Sequence, residues 1–247
     1  MASLGLIIVV VAASAFVAPL ARIFVDRTVN REGVAKAARC NDCGTQLTQP
    51  QMVPFFSWFS SCNHCGARFD FRYRASDIWV IALPVSMILG VAAPELGVYV
   101  AASWILAILV VIDFEHHLLP NVLVWPLNFA TAIAIGIFTL TISDFGWVAA
   151  ATGAGVFSGF LFLMFVVYPK GLGFGDVKLG IALGALVGWV QPTWFDALRV
   201  TLWAIFGALI LGAVGGMLWN LVMKRGRAEV PFGPALVVGS AVTIILS

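Results

Sequence analysis

Charge is scarce in this sequence: Asp, Glu, Lys and Arg make up 11% of its 247 residues, where a soluble domain carries about 25%. That shortage excludes a chain solvated by water over most of its length. No basic tract interleaved with aromatic residues occurs, and the net charge is only +2, so nucleic acid is not an expected partner. No Lys or Arg precedes the first apolar run, which removes the basic start of a secretory leader and favours a retained helix. Cysteine is missing outside residues 40–65. The three histidines, His64, His116 and His117, form no His-Glu-x-x-His helix, which excludes a metalloprotease of that type. No Ser-His-Asp set is visible either.

Apolar residues are abundant, at 61%, and many of the 24 glycines fall inside apolar runs. Small residues there let membrane helices approach closely. A span needs about 20 mostly apolar residues. Eight candidates are readable: 4–22, 76–93, 97–112, 121–141, 147–168, 177–190, 197–222 and 231–247. The expected fold is all-α, a polytopic membrane protein with about eight transmembrane helices in lipid. Basic residues favour the cytoplasmic side. Placing Arg22 to Arg74 inside and threading eight spans puts 13 of the 14 Lys and Arg inside, including Lys170, Lys178, Lys224, Arg225 and Arg227. Only Arg199 falls near the outer side, where the loops hold Glu95, Asp144 and Asp196. Trp79, Trp125, Trp147 and Trp189 lie near span ends, as interfacial anchors do. Three regions follow: a first helix (1–22), a cytoplasmic segment (23–75) and a seven-helix membrane domain (76–247).

The cytoplasmic segment holds Cys40-Asn41-Asp42-Cys43 and Cys62-Asn63-His64-Cys65, with 18 residues between the pairs. Two such turns supply the four corners of a structural zinc site. Gly44 and Gly66 follow the pairs, and glycine tolerates the left-handed backbone such a turn uses. Two disulfides or a redox pair are the other readings, and a reducing compartment disfavours the first. A segment this short buries little core, so a metal staple has a physical purpose. His64 is expected to be exposed rather than a ligand. The aromatics of Pro54-Phe55-Phe56-Ser57-Trp58-Phe59 either form the module's core, or some of them rest on the membrane surface or meet the substrate.

Asp113 ends the third span and Asp176 opens the sixth, in Gly171-Leu172-Gly173-Phe174-Gly175-Asp176-Val177-Lys178. The threading brings both to the cytoplasmic membrane edge, where ionisable groups are functional candidates. Two carboxylates close together share a proton, and such a pair activates water and polarises a carbonyl. The plainer readings are a helix N-cap for Asp176 and a solvated loop acid for Asp113. Gly180, Gly184 and Gly188 recur every four residues, a face that a neighbouring helix, such as the third, can approach. Glu115, His116 and His117 read as a polar loop.

These motifs together resemble the type IV prepilin peptidases, bacterial GxGD aspartic peptidases, from about Cys40 to Leu236. Gly173-Phe174-Gly175-Asp176-Val177-Lys178-Leu179 is similar to the family's GxGDxK segment, and Asp113 with Leu119-Pro120 to its first aspartate motif. Pro231-Phe232-Gly233-Pro234 resembles the last-span signature, and the double CxxC with Pro54, Ser57 and Trp58 the cytoplasmic module. The sequence departs from the pattern at Asn121, where Asp is usual, and at Asn41 and Asp42, where the first CxxC usually holds Pro. The nearest acid after Arg72-Tyr73 is Asp77, where the family has Glu soon after its Arg-Tyr. The resemblance implies a multi-pass enzyme of the bacterial inner membrane that cuts the leader from prepilins or pseudopilins on the cytoplasmic side. It implies Asp113 and Asp176 as the catalytic pair and Cys40, Cys43, Cys62 and Cys65 as zinc ligands. It also implies N-methylation of the new terminus from S-adenosylmethionine. The alternative from composition is a transporter using membrane-edge aspartates, although no paired inverted halves are visible.

Overall fold

The computed structural model describes residues 4–30, 40, 43–46, 61–67, 71–91, 95–141, 146–169, 171–223 and 231–247. Among them eight α-helices follow one another: α1 (Leu4–Asn30), α2 (Phe71–Gly90), α3 (Leu96–His116), α4 (Asn121–Thr141), α5 (Gly146–Val167), α6 (Phe174–Trp189), α7 (Trp194–Met223) and α8 (Gly233–Leu246). They fall in order on the eight apolar runs of the sequence. The aromatic stretch 54–59, residues Asn41 and Asp42, the loop around Asp144, Lys170 and the basic 224–230 segment lie outside the described residues.

Several helices outlast their apolar runs. α1 continues to Asn30 and α2 begins at Phe71, so both ends of the expected 23–75 segment are helical. α3 runs through His116, which makes Glu115 and His116 its last turn rather than a loop. Apolarity marks where a helix leaves the membrane, while the backbone hydrogen bonds continue until a cap stops them. Here the stop is His117, in the left-handed region at φ 52°, with its N–H on the Asp113 carbonyl at 2.8 Å.

By length and composition, four helices among the described residues can cross a membrane: α3, α4, α5 and α7. α8 is shorter, with 14 residues. α6 has 16 residues, about 24 Å at 1.5 Å per residue, against a hydrocarbon core of about 30 Å. It is the central helix, packed by α4, α5, α7 and α8 and buried on most of its circumference.

The glycine face of α6 meets α5, not α3. A Cβ added at Gly184 would stand 2.7 Å from the Gly153 carbonyl carbon and from Phe157 Cβ. α5 supplies the matching small residues, Ala149 and Gly153, so the two backbones touch. α3 is held off α6 by Tyr99, whose hydroxyl donates to the Leu186 carbonyl. Its ring stacks on Trp189 at 5.6 Å. Trp189 is therefore a buried core ring, also in contact with Phe138, and not an interfacial anchor. Trp125 and Trp147 are exposed, as the anchor reading requires.

Candidate active site and metal centre

The two CxxC turns fold alike. In the first, the Cys40 N–H donates to the Thr45 carbonyl at 2.8 Å and the Gly44 N–H to the Cys40 carbonyl at 2.9 Å. In the second, Cys62 donates to Ala67 and Gly66 to Cys62, both at 2.9 Å. Gly44 and Gly66 have φ of 69° and 72°, the left-handed backbone expected there, which costs an L-residue about 1–2 kcal/mol. His64 is exposed, as expected.

All four cysteines are free thiols. Cys40 and Cys65 sulfurs lie 3.8 Å apart, Cys43 and Cys62 3.6 Å apart, and all four lie within 4.8 Å of one another. A disulfide needs about 2.05 Å. A tetrahedron of sulfurs about 2.3 Å from zinc has edges of about 3.8 Å, so the donor set fits that ion. Crowding also separates the thiols. Hydrogen bonding by Thr45 lowers Cys43 to about 6. At Cys65 the Ala67 N–H lowers the thiol, but lost hydration and three sulfur neighbours outweigh it and raise it to about 12. A divalent cation removes that conflict by accepting four thiolates. Cys40, Cys43, Cys62 and Cys65 would hold it as a staple between the turns. Purified protein is expected to carry about one zinc per chain, and Cys43→Ser or Cys65→Ser to release it. Metal analysis showing none, with both pairs oxidised, would contradict this centre.

At the far ends of α3 and α6 sit the two aspartates, both buried. Asp113 Oδ2 accepts the Gly233 N–H at 2.9 Å across 120 residues of sequence. Gly233 opens α8, with Pro234 behind it, so this donor is one of the N–H groups a helix start leaves without an internal partner. Asp176 is in the first turn of α6, three residues after the Gly173 N-cap, and is not the cap itself. Its Oδ2 accepts the Gly173 N–H at 3.1 Å, the backward half of a capping box. The two carboxylates lie within electrostatic reach of each other, and His117 lies within reach of Asp113. A tight loop joins the sides: a Cβ on Gly175 would stand 2.8 Å from Leu119 Cβ. The linker between α2 and α3 is short, so the start of α2 lies at the same end of the bundle. The cysteine turns precede α2 in the chain.

Sequence reasoning missed three partners. The Gly233 donor was signalled by Gly-Pro opening a helix, but nothing in the pattern gives its target. Lys178 Nζ donates to Asn121 Oδ1 at 2.9 Å and lies 4.9 Å from the Phe174 ring centroid. Asn128, buried in α4, donates its Nδ2–H to the Lys178 carbonyl at 3.0 Å. These pairs join positions 57 and 50 residues apart, a separation with no local pattern.

Fold and site define a helical protein rich in apolar helices, with two buried carboxylates at one end of its bundle and a four-thiol centre ahead of α2 in the chain. The pattern of the Type IV leader peptidase family matches residues 100–219, and that of the Bacterial Peptidase A24 N-terminal domain residues 9–90. A prepilin leader peptidase/N-methyltransferase of Dichelobacter nodosus is 29% identical over 215 residues, covering 85% of this chain and 71% of that protein. One from Stutzerimonas stutzeri is 27% identical over 223 residues, with 84% and 71% covered. One from Bacillus subtilis is 28% identical over 216 residues, with 84% and 80% covered. No solved structure matches. The chain belongs to the type IV leader peptidase family.

Proposed function

We propose that this protein is a membrane aspartic endopeptidase that removes the leader of type IV prepilins or pilin-like secretion subunits, with Asp113 and Asp176 as its catalytic pair. The observation that carries this reading is the pair itself: two buried carboxylates from different helices, 63 residues apart in sequence, held at one end of the bundle. Family membership supports the leader-peptidase activity and does not favour the transporter reading.

In both residues the main-chain contact uses Oδ2, which leaves Oδ1 for the reaction. In this reading the two acids hold one proton between them. The ionised member takes a proton from a water, whose oxygen bonds to the scissile carbonyl carbon. The protonated member gives its proton to the carbonyl oxygen. Collapse breaks the C–N bond: one hydroxyl returns its proton to the second carboxylate, and the nitrogen takes the proton of the first carboxyl and leaves as the new amino terminus.

All eight helices enter the inner membrane in this reading, with the basic segments and the dyad facing the cytoplasm. That placement rests on the distribution of Lys and Arg. The relatives' names include N-methyltransferase activity, and S-adenosylmethionine would supply the methyl group. The cavity enclosed by α2, α3, α6 and α8 has about 20 Å³, room for about one water, so the bundle interior there does not fit a nucleoside.

Incubating the purified protein with a prepilin and weighing the product tests both activities at once. A leaderless product establishes the peptidase, and an added methyl group the transferase. An intact prepilin from zinc-loaded, folded enzyme would contradict the reading.

A further inference from the structure

α4 is apolar along its length apart from Asn121, Asn128 and scattered threonines. Asn128 is 8% exposed. Burying a carboxamide is unfavourable unless its hydrogen bonds are met, and here only half are. Nδ2 donates to the Lys178 carbonyl at 3.0 Å, while Oδ1 has no partner. The carbonyl can only accept, so the amide is oriented by that bond. A leucine would fill similar space without stranding an acceptor, so packing alone does not account for the residue.

The bond falls two residues after Asp176. The same Lys178 reaches α4 a second time, through Nζ on Asn121 Oδ1 at 2.9 Å, and Asn121 and Asn128 lie two turns apart on one face of α4. α4 thus grips the opening turns of α6 by main chain and side chain together. The hydrogen bond that Asp176 itself accepts, from the Gly173 N–H, is local to α6 and cannot set its place against Asp113. Nor do α3 and α6 pack closely along their backbones.

We propose that Asn128 is a positioning residue for the reaction: its amide fixes the first turns of α6 against α4 and so holds Asp176 at the distance from Asp113 that the shared water needs. This rests on the dyad reading above. Asn128 touches no reacting atom in this role, so its loss acts on turnover and not on substrate affinity.

The test is steady-state cleavage of a prepilin by Asn128→Leu, which removes the amide at similar volume, and by Asn128→Asp, whose ionised carboxylate keeps the shape but cannot donate. Both are expected to lower kcat by roughly 10- to 100-fold with KM near wild type, because a small misplacement of a reacting group costs that much. Asn128→Gln, which keeps a donor on a longer arm, should recover part of the loss. A kcat within about twofold of wild type in both variants, or a loss that merely follows the folded fraction, overturns the proposal. Asp113→Asn run alongside reports on the dyad itself. Cleavage persisting there would remove the dyad, whatever Asn128 does.

Discussion

Asp113→Asn and Asp176→Asn are each expected to abolish leader removal, with cleavage down on the order of 10⁴-fold, and the double variant to be no slower than either single one. The reason is that the pair acts as one device. One member must take a proton and the other must give one, so losing either empties the whole step, and residues acting as a unit are non-additive. Asparagine is close in shape and keeps an oxygen that accepts a hydrogen bond. In Asp176→Asn that oxygen can still take the Gly173 N–H, now 3.1 Å from Oδ2, so the helix start survives. In Asp113→Asn it can still take the Gly233 N–H. Zinc content and thermal unfolding should therefore stay near wild type in both. Near wild-type cleavage in Asp176→Asn would leave Asp176 with only the capping role that its place in the first turn of α6 also provides. Additive losses in the double variant would mean two independent roles.

Helix number and order were legible because apolar runs are long and loops are polar. α4 spans Asn121–Thr141 as expected, bounded by Pro120 before it and a polar stretch after it. Helix ends were less legible. α1 and α2 extend into the segment between them, and hydrophobicity carries no signal once a helix leaves the apolar layer. The four sulfurs were legible because a metal turn is local: Cys-x-x-Cys-Gly specifies its own hydrogen bonds, and both glycines have the left-handed backbone that this pattern demands. The partners of the aspartates were not legible. Gly233 reaches Asp113 across 120 residues, and periodicity contains no term for such a contact. The glycine face of α6 was readable as a face, but its neighbour was not. Ala149 and Gly153 in α5 allow backbone contact, whereas Tyr99 in α3 demands room, and only the packed bundle selects between them.

Gly233→Ala is expected to lower cleavage by about 100-fold while leaving the fold intact. A Cβ at position 233 would stand 2.6 Å from Asp113 Oδ2 and 3.1 Å from its Cγ. Contacts that short are not tolerated, so either the carboxylate turns away or the start of α8 shifts. Both lengthen the 2.9 Å hydrogen bond from the Gly233 N–H and move Asp113 relative to Asp176. A displacement of about 1 Å at a reacting group is enough for a loss of that size. The backbone itself does not object, since Gly233 is not among the positive-φ glycines. Alanine in a helix is favoured over glycine by about 1 kcal/mol, which offsets part of the steric cost. Gly155→Ala in α5 is the matched control, because nothing lies within 4 Å of the Cβ it would add. It carries the same helix preference and should cleave at the wild-type rate. The two variants, compared by cleavage rate and by thermal unfolding, separate a glycine required by the helix from one required by the carboxylate. Wild-type cleavage by Gly233→Ala would show that the start of α8 does not hold Asp113 in its working position.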